Sequence, residues 1–196
     1  MTLRLEDLAT RRSVPNMQLT EPGPDAVTLE RILQTAVRVP DHGRLVPFRF
    51  VTIAGDARAR LSEAMAAHHG AIDPEVAEKV LEKDRQRYTF APLIVAVIAS
   101  PVENGKVPRI EQVLSAGCVA FQLLQAAQAE GFGAVWLTGW AAYDRDVMDW
   151  FEISEDESII GFIHIGTPKL EVPERDRPDA MSLVRSLDVS RLPGAS

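Results

Sequence analysis

The stretch Leu93-Ile94-Val95-Ala96-Val97-Ile98-Ala99-Ser100 decides the fold. It is continuous, apolar and β-branched, and such side chains suit a pleated strand better than a helix. A strand with one wet face alternates apolar with polar residues. A strand with no polar position has to be covered on both faces, so residues 93–100 read as the centre of a sheet flanked by helices. Leu93 to Ala99 is also the longest apolar run, far short of the roughly 20 residues that a membrane-spanning helix needs, and no membrane association is expected.

Outward from that strand, punctuation and periodicity lay out the rest. Pro101 to Pro108 reads as a loop, and Arg109 to Glu130 as the longest helix, stopped by Gly131, with Ala116, Gly117 and Ala120 permitting close packing. Short elements follow: a strand over Gly133–Thr138, a helix over Asp144–Phe151 and an apolar strand over Ser158–Gly166. Upstream, Asp25 caps a helix that presents Leu29, Ile32, Leu33, Ala36 and Val37 at helical spacing and ends at Pro40. Phe48–Ala54 is a strand, Asp56 caps a helix to about Gly70, and Asp73-Pro74-Glu75 signals a charged helix that runs to about Arg87. A short amphipathic helix is expected over residues 3–10. Pro168, Pro173, Pro178 and Pro193 make residues 168–196 an extended arm that needs a surface, which a partner subunit supplies. No repeat or linker divides the chain, so 1–196 reads as one domain.

Composition narrows the function. The 196 residues carry a net charge of −7 with scattered basic residues, an unfavourable field for nucleic acid or an anionic membrane. Acidic residues near Met1 and the lack of a small-residue cleavage site argue against export. The single cysteine, Cys118, forms no internal disulfide and is compatible with the cytoplasm, the compartment expected. In its helix it reads as a small packing residue rather than a nucleophile. His68 and His69 are adjacent, hence about 100° apart on a helix and unsuited to sharing one metal, so no metal site is expected. His164 reads as a core or interface histidine. Gly131-Phe132-Gly133 follows a helix and precedes a strand, the reverse of a phosphate-cradling loop. With no Walker loop and no Gly-x-Ser-x-Gly elbow, any nucleotide must be held by side chains. Two clusters offer them. Arg11-Arg12-Ser13 suits a phosphate, although paired arginines near a terminus are most often solvated. Arg38, Asp41, His42 and Arg44 surround the Pro40 break, where a lone loop histidine such as His42 more often serves as a local backbone cap than in a site.

Arg11-Arg12-Ser13, Arg38-Val39-Pro40-Asp41-His42, Pro47-Phe48-Arg49-Phe50, Ala91-Pro92-Leu93-Ile94, Ser115-Ala116-Gly117-Cys118, Gly131-Phe132-Gly133-Ala134-Val135-Trp136 and Gly161-Phe162-Ile163-His164-Ile165-Gly166-Thr167-Pro168, taken in order, resemble the FMN-dependent nitroreductase family. The nearest likeness is to its small NAD(P)H nitroreductase subgroup. The resemblance implies an α+β sandwich with a central mixed β-sheet flanked by helices, and a homodimer with two FMN sites shared between subunits. It places Arg11, Arg12 and Ser13 on the flavin from one subunit and Arg38 and His42 from the other, with Trp136, Leu137 and Thr138 adding contacts at a strand end. Related chains can carry arginine where this one has Leu137, and the resemblance offers Arg177 as a C-terminal substitute. It implies NADH or NADPH as donor, a nitroaromatic, quinone or similar small acceptor, and a ping-pong cycle in which one cleft serves both substrates. Residues from about Glu78 to Thr89 and Pro101 to Pro108 are expected to shape that cleft. No particular catalytic side chain is marked, as expected where the cofactor performs the redox step. Flavin fragmentation or dehalogenation on the same fold, a non-catalytic FMN-binding or regulatory protein, and a flavin-free dimerising protein stay open as alternatives.

Overall fold

The computed structural model describes residues 5–188 together with Arg191 and Pro193. In chain order its main elements are α1 (Leu5–Ala9), β1 (Leu19–Thr20), α2 (Ala26–Ala36), β2 (Phe48–Ala54), α3 (Asp56–Ile72), α4 (Glu78–Arg87), β3 (Leu93–Ala99), α5 (Arg109–Ala129), β4 (Gly133–Leu137), α6 (Arg145–Trp150) and β5 (Ser158–Pro168). The strands form a five-stranded sheet in the order β1-β5-β3-β2, with β4 also paired to β5.

β3 is the centre, and all seven of its residues are buried. Its side chains alternate between two cores, as the strand period of two requires. Ile94, Ala96 and Ile98 join Met65, Tyr88, Val147 and Phe162 on the face covered by α3 and α6. Leu93, Val95, Val97 and Ala99 join Ile32, Val119, Leu123 and Ile163 on the face covered by α2 and α5. The apolar run lacks polar positions because neither face reaches water.

The sheet departs from the expected mixed arrangement: every strand pairing among the described residues is antiparallel. The reason lies in the crossover through α5. β3 and β4 run in the same direction, yet they do not pair, because β5 occupies the place between them and runs against both. The resulting sheet with helices on both faces is otherwise the α+β sandwich expected.

α5 buries Ser115, Ala116, Val119, Ala120, Leu123, Leu124 and Ala127. Gly117 lies on its outer side, where an added Cβ meets nothing, and Cys118 is exposed, so neither serves the internal packing proposed for them. Ile110, Leu114 and Phe121 are also exposed and lie with Gly117 and Cys118 along one outer stripe. α5 is long and apolar enough by composition to cross a membrane, but half of that stretch is buried in the protein, as befits a core helix. α4 starts later than Asp73-Pro74-Glu75 suggests. Asp73 accepts from the Glu75 backbone N–H at 3.1 Å, closing a local turn instead of capping a helix. β5 extends past Gly166 because Thr167 and Pro168 pair with β1. Residues 169–188 carry one 3-10 turn, Ala180–Leu183, and expose Leu170, Met181, Leu183, Val184 and Leu187.

Candidate functional site

The chain leaves α1 and is fastened to the edge of the sheet. Val14 donates its backbone N–H to the Ala134 carbonyl of β4 at 3.0 Å, its side chain is buried, and the Gln128 amide near the end of α5 donates to the Arg12 carbonyl. Arg11, Arg12 and Ser13 are thereby held against the C-terminal half of α5. The Arg11 guanidinium lies 5.9 Å from the centre of the Phe121 ring and donates to Ser13 Oγ at 3.4 Å.

The Arg12 side chain is only 13% exposed and pairs with Glu174, while its buried Nε has no partner. Glu174 also lies 3.6 Å from Arg177. Burial, and then the charges of Arg177 and Arg12, hold the Arg11 guanidinium below its ordinary pKa. The Glu174 carboxyl is held low by the Arg175 backbone N–H and by Arg12. Arg12 and Arg177, far apart in sequence, are therefore brought together on one carboxylate, with Arg11 close enough to feel the charge of both. A group of like charges with a buried, unused donor is suited to a more highly charged anion than a single carboxylate.

Arg38 and His42 lie elsewhere. Arg38 is exposed just past α2. His42 pairs through Nδ1 with Glu111 Oε2 at 2.8 Å, and Ser115 Oγ donates to the Pro40 carbonyl at 2.7 Å. This loop is strained and braced. Gly43, Arg44 and Val46 all have positive φ, a costly conformation for a β-branched residue. The two Asp41 carboxylate oxygens hold it by accepting from the Leu45 and Val46 backbone N–H groups at 3.1 and 2.8 Å. Both contacts of the loop fall in the first turns of α5, whereas Arg11 and Arg12 are anchored at Phe121 and Gln128. From Glu111 to Gln128 a helix rises about 25 Å. A single chain thus does not bring the two predicted clusters together.

At the end of β4, Trp136 is spent on packing. Its indole N–H donates to the Ile160 carbonyl at 3.1 Å, and the ring occupies the space that a Cβ on Gly161 would need. Leu137 packs against the sheet core, which leaves backbone and the exposed Thr138 at the strand end. Arg87 belongs to the Glu78–Thr89 stretch expected to shape the cleft, without being singled out within it. Its guanidinium donates to the Thr138 carbonyl, stacks over Gly139, and its own carbonyl accepts from Asn16 Nδ2 at 3.1 Å. Beside it Met65, Asp84, Tyr88, Gly139 and Trp140 line a crevice too tight to admit water. No sequence signal distinguishes Arg87 from the other charges of α4.

An antiparallel sheet between two helical layers, an arginine cluster outside β4 and a second basic loop at the far end of α5 define a class, and the comparisons agree with it. The model of the nitroreductase family matches residues 8–167, and the chain belongs to that family. Among its relatives it is similar to the "Putative NAD(P)H nitroreductase YdjA" of Escherichia coli strain K12, 40% identical over 167 residues, which cover 85% of this chain and 89% of the other. A nitroreductase-like family protein from Bacillus cereus has the same fold, with a TM-score of 0.78 at 19% identity over 96% of this chain and 99% of that one. So does a mutant of the FMN and NADPH-dependent nitroreductase NfnB from a sphigopyxis strain, with a TM-score of 0.72 at 19% identity over 93% and 98%.

Proposed function

We propose that this chain is an FMN-dependent oxidoreductase that carries electrons from NADH or NADPH to a nitroaromatic, a quinone or a similar small acceptor, working as a single-domain subunit of a homodimer. The observation that carries the proposal is the separation of the two basic clusters along α5. If two copies pair α5 antiparallel along the outer stripe of Ile110, Leu114, Gly117, Cys118 and Phe121, the Glu111 end of one helix meets the Phe121 to Gln128 end of the other. Arg38 and His42 of one subunit then stand beside Arg11, Arg12 and Ser13 of its partner, twice over, as an isologous interface requires. The exposed apolar residues of 169–188 gain a surface in the same step.

The residues fit FMN. Its phosphate carries about two negative charges, matching Arg11, Arg12 and Arg177 and the unpartnered Arg12 Nε. Bound FMN supplies a carrier that accepts an electron pair from a nicotinamide and passes it to a second substrate. Ser13 and Thr138 offer hydroxyls, and the guanidinium of Arg12 or of Arg38 stabilises negative charge on a reduced ligand. Arg87 restores a guanidinium at the β4 end, where Leu137 supplies none, and this favours an active enzyme over a merely flavin-binding protein. Donor and acceptor use one cleft in turn, giving ping-pong kinetics.

Protein incubated with FMN and desalted is expected to retain the visible absorption of an oxidised flavin, and anaerobic NADH or NADPH is expected to bleach it. Retained flavin that neither nucleotide bleaches refutes the enzyme, and colourless protein refutes the cofactor. The double variant Arg12→Ala with Ser13→Ala is expected to lose FMN; full retention removes the phosphate assignment.

A further inference from the structure

Away from the arginine clusters, α3 and the start of α6 bring three metal-binding side chains together. His68 Nε2 lies 3.0 Å from Asp144 Oδ1 and 3.7 Å from Asp146 Oδ2. The ligating atoms of all three residues fall within 4.8 Å of one another. His69 takes no part, since its Nδ1 is bound to Asp84 at 2.6 Å. Adjacent histidines do diverge, but one of them meets two carboxylates from a distant part of the chain.

We propose that His68, Asp144 and Asp146 form a site for a divalent cation of the zinc class. Zinc binds imidazole nitrogen and carboxylate oxygen at about 2.0–2.2 Å, so the edge of its coordination tetrahedron is about 3.3–3.6 Å. The 3.0 and 3.7 Å separations from His68 bracket that edge. The three donors leave a fourth position for water, facing the side on which Asp146 is exposed.

Charge and surroundings favour an ion over a simple hydrogen-bonded cluster. Arg145, between the two aspartates, is turned away, donating to Asp149 at 2.6 Å and to the Ile153 carbonyl at 2.5 Å. Among the described residues Asp146 therefore contacts no charged partner except His68. Two carboxylates facing one imidazole leave a negative excess that a dication neutralises.

Asp144 is fixed by accepting the Val147 backbone N–H at 2.9 Å, the kind of supporting bond that orients a ligand. The rings of Trp140 and Trp150 flank His68 at 6.0 and 5.4 Å and restrict water around it. On binding, His68 Nε2 gives up its proton, which moves to Nδ1 or to solvent, and its lone pair goes to the metal. The ion would clip the short α6 and the Trp140 segment to α3.

Untagged full-length protein, stripped with a chelator, tests this by titration with cobalt(II), whose ligand-field bands in the visible report tetrahedral binding. One ion per chain is expected, displaceable by zinc, with quenching of tryptophan fluorescence when nickel(II) or copper(II) is used instead. Zinc at a hundred times its Kd should raise Tm by about 5 °C or more. Asp146→Asn changes an exposed residue and is expected to keep the fold while weakening cobalt binding by roughly tenfold or more; His68→Gln is expected to abolish it. Failure of the wild type to take up cobalt saturably, or binding that survives either substitution unchanged, overturns the proposal.

Discussion

His164 offers a way to measure how dry the centre of the sheet is. It lies on β5 opposite Ile94 and Val135, is fully buried, stacks on Tyr88 at 5.8 Å, and neither ring nitrogen has a partner. Burial, assisted by the charge of Arg87, drives its pKa from 6.5 down to about 3. The unfolded chain therefore takes up a proton near pH 6.5 that the folded chain refuses. The stabilisation is complete above pH 6.5 and is lost as pH falls towards 3, by roughly a factor of ten in the folding equilibrium per pH unit. Between pH 6.5 and 4.5 the loss should reach about 2.3 kcal/mol. The carboxylates with lowered pKa act below that window. Glu157, for example, is pulled from 4.5 to about 2 chiefly by Arg49, so its contribution is present above pH 4.5 and fades below it. Urea unfolding at pH 6.5, 5.5 and 4.5, on wild type and on His164→Phe, isolates the effect. The variant should lose most of the slope in this window. A wild type whose stability is flat there, or a variant with the full slope, refutes a neutral, desolvated His164.

Three further outcomes follow from the same contacts. Glu174→Gln removes the carboxylate that competes for Arg12 and should tighten FMN binding about fivefold at low salt, the upper range for a solvent-facing ion pair, while leaving riboflavin affinity unchanged; equal shifts for both flavins in a fluorescence titration would contradict a phosphate role. Leu114→Glu places a charge twice on the proposed two-fold seam at ~2 kcal/mol each, weakening the dimer roughly a thousandfold. Sedimentation showing an unaltered dimer would point to another interface. Gly161→Ala drives a Cβ into the Trp136 indole and should cost about 1–3 kcal/mol, seen as a lower urea midpoint; an unchanged midpoint would mean that the ring moves aside freely.

The sequence made the centre legible and left long-range polar pairings hidden. β3 and the buried face of α5 could be read because exclusion from water leaves a compositional trace at each position. Asp25 was recognisable as a cap because its bond to Thr28 is local, at 2.8 Å. Asp73 misled because the same carboxylate can close a turn two residues ahead. β1 is two residues long, too short for a period, and exists only because β5 offers it an edge. The arginines of the site were legible as residue types, whereas Glu174 and Arg87 were not. Arg12 meets Glu174 across 162 residues and Arg87 meets Thr138 across 51, and neither pairing has a local signature. The same holds for His68, whose carboxylates lie 76 or more residues away.

The rise of α5 between its two basic clusters has a genetic consequence. In the proposed dimer each half of a site comes from a different copy, so damage to either half would spoil both sites of a homodimer. Mix an Arg12→Ala chain with an Arg38→Ala chain, and every heterodimer gathers both lesions into one site and leaves the other wild type. Two inactive preparations, allowed to exchange subunits, should therefore recover flavin binding at one site per heterodimer, whereas a site contained within one chain could never be rescued by its neighbour.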